Sequence, residues 1–126
     1  MELGEILILI GGGAIFLWGL GHIAPTKAVV AGFEPISIDN RRILVMEWLV
    51  EGLTLCFVGV LAIVTVLVLG ADARGTVLVA RLLAGFLLTL AGLSLMTGAR
   101  TSIIPMKLCP FVKTAVAALL ITGSLL

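Results

Sequence analysis

Charge is what this chain has least of. Asp, Glu, Lys and Arg together make up 12% of its 126 residues, where soluble domains carry about 25%. The 8 basic and 7 acidic side chains leave a formal net charge of +1. No run of Lys or Arg occurs, so the electrostatic footprint of a nucleic-acid binder is missing. One histidine and two cysteines, Cys56 and Cys109, do not give the ligand spacing of a metal site. No glycine-rich loop follows a strand, and GGGAIF (11–16) is a glycine cluster inside an apolar helix rather than a dinucleotide fingerprint. The first ten residues, MELGEILILI, hold Glu2 and Glu5 where a secretory leader needs Lys or Arg. That segment therefore reads as a retained span.

What the chain has instead is hydrocarbon: 61% of its residues are hydrophobic, and the mean hydropathy is +1.32. A soluble domain of this size has no interior large enough to hide so much apolar surface, which makes the protein integral to a membrane. Crossing the hydrocarbon core takes about 20 residues, and four stretches meet that length: Leu3–Ile23, Ile43–Leu69, Val77–Ala99 and Pro105–Leu126. The expected fold is all-α, a polytopic up-down bundle of four transmembrane helices forming a single domain over residues 1–126. The second stretch is the longest and is expected to tilt or to protrude into the interface. Counting about 1.5 Å per residue places Cys56 and Cys109 at depths roughly 10 Å apart, too far for a disulfide.

The connections are unequal. GADARGT (70–76) and RTSII (100–104) make tight polar turns, while APTKAVVAGFEPISIDNRR (24–42) is long. Val29, Val30, Phe33, Ile36 and Ile38 give this first loop the character of an interfacial segment. Ser37 or Asp39 can cap the helix that follows it. Loops 1 and 3 and the start of the fourth span hold Lys27, Arg41, Arg42, Arg100, Lys107 and Lys113, against Arg74 and Arg81 at the other end. By the positive-inside rule, loops 1 and 3 are expected in the cytoplasm and both termini outside; a bacterial or archaeal inner membrane is the expected location.

Small residues allow close approach of helices in lipid. They recur seven apart at Gly4/Gly11, Gly12/Gly19, Gly52/Gly59, Ala84/Ala91 and Gly85/Gly92. Heptad spacing of this kind predicts a tightly apposed, left-handed bundle, with Ala115, Ala117 and Ala118 contributing from the fourth span.

The few polar residues in the spans carry the functional argument. At 100° per residue Glu47, Glu51 and Thr54 share a face of the second helix, with Thr65 returning to it and Cys56 pointing away. His22 and Trp18 share a face of the first helix, and Lys107 and Thr114 a face of the fourth. Glu47, beside Trp48 and close to Arg41 and Arg42, has a bland explanation at headgroup level. Lys107 can snorkel to the interface, His22 can serve as a helix-end hydrogen-bonding group, and Arg81 can anchor the outer face. Glu51 and Lys113 resist such explanations. Glu51 falls about one turn inside the core if the helix enters near Trp48. Lys113 is followed by only 13 residues, short of the ~20 that a span needs. A charge deep in a span costs roughly 2.5–3.5 kcal/mol on insertion scales and normally faces the bundle and a partner. Glu51 is the expected partner, with Glu47 second, and a purely structural clasp is the plain alternative. Pro110 frees a backbone carbonyl three to four residues earlier, near Lys107 and Cys109. The expected result is a partly buried polar pocket below the cytoplasmic surface, with loop 1 as its lid.

LILIGGGAIFLWGLGH (7–22) and MEWLVEGLTLCFVGVLAIV (46–64) resemble the DoxX-like group of small four-helix bacterial membrane proteins. The shared features are a glycine-rich first span closing on a Gly-His pair, and an acidic residue followed by an apolar, glycine-containing helix. The resemblance covers the first half of the chain. It implies a four-span bundle associated with quinone or thiol redox systems and supplies no active-site motif. LGHIAP (20–25) with its nearby glutamates also faintly resembles the sterol-isomerase superfamily.

Three classes of function are compatible with these residues. In the first, the protein is a non-enzymatic accessory subunit or a binder of a lipophilic ligand, a quinone or a lipid, held by Glu51, Lys113, Glu47, His22, Trp18 and Lys107. In the second, it is a membrane-embedded acid/base enzyme of isomerase or redox type, with Glu51, Glu47 and His22 as catalytic candidates. In the third, it is a small proton-coupled transporter that uses Glu51 and resembles the small multidrug resistance family. Expected partners are membrane lipids, other membrane subunits or further copies of the chain, with no nucleic acid and no metal.

Overall fold

A computed structural model describes residues 1–126. It is all-helical, with α1 at Leu3–Ile23, α2 at Thr26–Ala31, α3 at Ile38–Leu69, α4 at Arg74–Met96 and α5 at Ile104–Gly123, plus one 3₁₀ turn at Gly98–Arg100. Four of these are long and apolar enough to cross a membrane. The protein is a multi-pass, four-helix membrane bundle.

The helix ends follow local chemistry. At the start of α1 the Glu2 N–H donates to Glu5 Oε2 at 3.1 Å. Near the far end, Pro25 has no N–H to extend the ladder. Ser37 Oγ caps α3 by accepting from the Asn40 N–H at 3.2 Å, with Asp39 in the first turn. This cap starts α3 at Ile38 rather than at residue 43, so the first loop is shorter than the sequence implied. Gly70 ends α3 at φ +82°, a backbone state that costs glycine little and other residues more. Pro105 opens α5 in its first turn, where its missing N–H has no helical partner to lose. The third and fourth helices occupy 74–96 and 104–123, close to the expected 77–99 and 105–126.

α1 packs extensively against α3 and also against α5, which in turn packs on α4; the contact between α3 and α4 is sparse. The α1/α3 seam is closed by glycines. A Cβ at Gly59 would lie 2.5 Å from the Gly12 carbonyl oxygen, and one at Gly19 would lie 2.8 Å from that of Gly52. Only hydrogen fits there. Ile8, Ile15, Leu55, Val58, Leu87, Ala117 and Leu120 fill the shared core. Large apolar side chains such as Leu17, Phe57, Val68, Leu82 and Phe111 cover the outside, as a lipid-facing surface requires.

One packing expectation divides in two. Ala84 and Ala91 are buried, whereas Gly85 and Gly92 face outward with nothing within 4 Å of an added Cβ. One heptad phase of α4 faces the core and its neighbour faces away, because a step of 100° carries the glycines off the buried stripe. Loop 1 also differs from the expected lid. α2 packs against α3 through a segment whose buried residue is Val30, and of residues 24–42 only Pro25 lines a cavity, the apolar one, so none covers the polar cavity.

Candidate functional site

Where α3 and α4 diverge, toward the end that bears the first and third loops, a cavity of about 420 Å³ opens between them, with α5 and the end of α1 behind it. The helical face of α3 inferred from the sequence supplies Glu47, Val50, Glu51 and Thr54 to its wall. α4 contributes Phe86, Leu90, Leu93, Ser94 and Thr97, and α5 contributes Met106, Cys109 and Lys113.

Lys113 stands midway along α5, and its side chain is only 1% exposed. Its ammonium donates to Glu51 Oε1 at 2.8 Å and to Ser94 Oγ at 2.9 Å. The pairing expected from depth is therefore present, and a third helix joins it. An ammonium sealed among aliphatic side chains needs such partners, because losing water around a charge costs several kcal/mol. Glu51 is 40% exposed and lines the cavity, and its second oxygen makes no bond to Lys113. That oxygen, Oε2, lies 3.7 Å from His22 Nε2.

His22 reaches this place from the last turn of α1. Its side chain is 4% exposed, and its ring stacks on Trp48 with centroids 4.1 Å apart and planes 17° from parallel. The Trp48 indole N–H donates to the His22 carbonyl at 2.8 Å, satisfying one of the acceptors that a helix C-terminus leaves open. Two contacts thus fix the imidazole against α3. Its Nε2 is nonetheless buried without a hydrogen-bond partner.

A second cavity, of about 510 Å³, lies on the other side of His22. Ala14, Leu17, Trp18, Trp48, Pro105 and Leu108 make it almost wholly apolar, and it shares His22, Met106 and Cys109 with the polar cavity. The two spaces are neighbours across a thin wall of three side chains. Pro110 follows Cys109 of this wall and itself lines neither cavity. Lacking an N–H, it cannot donate to the Met106 carbonyl one turn back, and its own carbonyl accepts from Thr114 Oγ1 at 2.8 Å.

The structure separates the sequence candidates. Glu51, Lys113, His22 and Glu47 meet at the polar cavity, and Trp18 lines the apolar one. Lys107 is exposed and lines neither, which fits a snorkelling side chain. Arg81 is exposed and donates from Nε to Ser124 Oγ at 3.3 Å near the opposite end. Cys56 points away from the site toward the Phe16 carbonyl. Both thiols are free, and no group of three His, Cys, Asp or Glu side chains is placed to hold a metal ion.

Two residues of the site escaped sequence reasoning. Cys109 reads as a small buried hydrophobe, and Ser94 reads as nothing at all. Hydroxyls in apolar helices usually bond to the carbonyl one turn back, as Thr54, Thr89, Thr97 and Thr114 do here. Ser94 instead accepts a hydrogen bond from the Lys113 ammonium and turns its own hydroxyl toward Cys109 Sγ at 3.9 Å. No local pattern distinguishes it from the threonines. Comparison of the chain with protein-family models, curated proteins and solved structures gives no match.

Proposed function

We propose that the protein is a non-enzymatic membrane component that holds the polar head of a lipophilic ligand, a quinone or a lipid, in the cavity between α3 and α4. The observation that carries this reading is the charged wall of that cavity: a fully buried Lys113 held by Glu51 and Ser94, beside a histidine nitrogen with no partner. An unpaired polar atom in so apolar a setting is costly, and a ligand head group relieves that cost. The apolar cavity next to it, floored by Trp18 and Leu17, offers room for hydrocarbon. The Lys and Arg bias supports a site near the cytoplasmic face, with both termini outside. The role is that of an accessory subunit, acting beside another membrane subunit or another copy of the chain. The DoxX-like resemblance points to the same class of small bundles near quinone chemistry.

Gentle extraction followed by mass spectrometry of everything that copurifies tests the reading. A quinone or a defined lipid is expected in near-stoichiometric amount with the wild type and in strongly reduced amount with Glu51→Gln/Lys113→Met. Equal retention by the two proteins overturns it.

A second reading, an acid/base enzyme of isomerase or redox type, is supported by the 3.7 Å approach of His22 Nε2 to Glu51. Turnover of an added substrate that Glu51→Gln abolishes would favour it. A proton-coupled carrier has less support, because Lys113 already occupies the carboxylate that the cargo would need.

A further inference from the structure

His22 Nε2 and Glu51 Oε2 are 3.7 Å apart. That is too far for a hydrogen bond between them. The nitrogen is buried and unpartnered, while the carboxylate uses its other oxygen for Lys113. An oxygen about 2.8 Å from each would bridge them at an angle of roughly 80°, and because Nε2 is closed to solvent the neighbouring side chains must part to admit it.

The groups around the gap select that atom. A carbonyl oxygen has no hydrogen to give Glu51 and would face the carboxylate lone pairs. An ammonium would meet the Lys113 charge, which stands 2.8 Å from the same carboxylate. A hydroxyl suits both sides, donating to one group and accepting from the other. The wall beyond it mixes Val50, Phe86, Leu90 and Leu93 with Glu47, Thr54 and Thr97, and the apolar cavity across His22 offers room for a hydrocarbon body.

We propose that the ligand is an amphiphile whose single hydroxyl, phenolic or aliphatic, bridges His22 Nε2 and Glu51 Oε2. The inference rests on the ligand-binding reading above and narrows it to the alcohol class. The hydroxyl donates its hydrogen to Oε2 and accepts one from Nε2–H, so the neutral ring carries its proton on Nε2. The Trp48 stack and the indole bond to the His22 carbonyl hold the imidazole in place for this contact.

His22 is the only histidine in the chain, so ¹⁵N-histidine labelling yields one imidazole to observe. Four probes are titrated into the protein in phosphatidylcholine nanodiscs: 4-decylphenol and its methyl ether 4-decylanisole, and 1-dodecanol and its methyl ether. In at least one pair the hydroxyl member is expected to bind about tenfold or more tightly than its ether, the value of one charge-assisted hydrogen bond. It should also move the His22 ¹⁵Nε2 resonance, which the ether leaves in place. Preference confined to the phenol pair assigns an aromatic head group, and preference in the alkanol pair assigns a lipid alcohol. His22→Phe keeps an aromatic ring against Trp48 and should reduce the hydroxyl-to-ether preference to about one, whatever its effect on the absolute affinities. His22→Gln, which restores an N–H donor, should recover part of it.

Equal affinity of hydroxyl and ether overturns the bridge and leaves the broader ligand reading standing. A hydroxyl preference that survives His22→Phe overturns it as well, as does a wild-type ¹⁵Nε2 signal that the tighter-binding hydroxyl leaves in place. If none of the four probes binds, the bridge is wrong, and the copurification experiment decides the parent reading on its own. Should His22→Phe fail to fold, the wild-type pairs and the ¹⁵N signal still decide for or against the bridge.

Discussion

One helix, α3, forms two very different seams. Toward α1 it presents Gly52 and Gly59, and backbones meet so closely that a methyl group has no room. Toward α4 it presents Glu47, Glu51 and Thr54, and the helices stand apart around a cavity. Hydrophobicity does not separate the two seams, since lipid is as apolar as leucine and gives helices little reason to associate. Side-chain size and the demands of one buried charge separate them. The glycine seam makes a fixed wall, and the charged seam keeps a space beside it.

The largest effect is expected where the charged seam is broken on one side. Glu51→Gln removes the counter-charge of an ammonium that is 1% exposed, and breaking a buried pair in this way costs about 3–5 kcal/mol. Lys113→Met removes the buried charge itself and leaves Glu51 partly exposed, so it should cost less. The double variant should recover much of the Glu51→Gln loss, because no unpaired buried charge remains. Thermal or denaturant unfolding in detergent of the four proteins gives the coupling. Simple addition of the two single losses would mean that the clasp contributes nothing to the fold.

A middle-sized effect sharpens the other half of the comparison. Gly59→Ala places a methyl group 2.5 Å from the Gly12 carbonyl, and overpacking of this kind typically costs about 1–3 kcal/mol. Gly92→Ala on α4 places the same methyl in open space and should be neutral or stabilising by up to about 1 kcal/mol from helix propensity. Unfolding midpoints of the two variants are the measurement. Equal losses would show that glycine content, rather than the α1/α3 contact, is what the bundle needs.

How much of this was legible in the sequence depends on the distance over which each feature is decided. Span number and approximate limits follow from runs of apolar residues, which act locally. The Ser37 cap and the Gly70 stop are likewise written in a few adjacent residues. The Glu51–Lys113 pair was reachable because two constraints, depth and scarcity of charge, leave few other partners. Ser94 was not reachable, since its bond to Lys113 depends on how α4 and α5 face each other. The choice between Ala84/Ala91 and Gly85/Gly92 as the buried stripe of α4 depends on helix rotation. Two neighbouring heptads of small residues are equivalent until the partner helices are in place. The gap between His22 and Glu51 is a matter of 3.7 Å, a scale that periodicity cannot resolve.

The smallest expected effect asks whether burial, rather than the mere presence of an ion pair on α3, gives the charged seam its importance. Near the start of α3, Arg41 pairs with Glu34 of the preceding loop, and this cation is 49% exposed where Lys113 is 1% exposed. The Arg41 guanidinium, by its hydrogen bond, and then the Ile36 N–H hold the Glu34 carboxyl below its ordinary value of 4.5. A carboxyl depressed in the folded state binds protons less readily there than in the unfolded chain. Its contribution is therefore complete above about pH 5 and fades as pH falls through the depressed folded value. Comparing wild type with Glu34→Gln by unfolding from pH 7 downward should show a small gap that narrows below about pH 4.5. Exposed pairs are screened and contribute little, so the gap should stay well under that for Glu51→Gln at every pH. If Glu34→Gln proved as damaging as Glu51→Gln, the contrast between the two pairs would collapse, and the cavity wall would owe its stability to charge alone rather than to where the charge is kept.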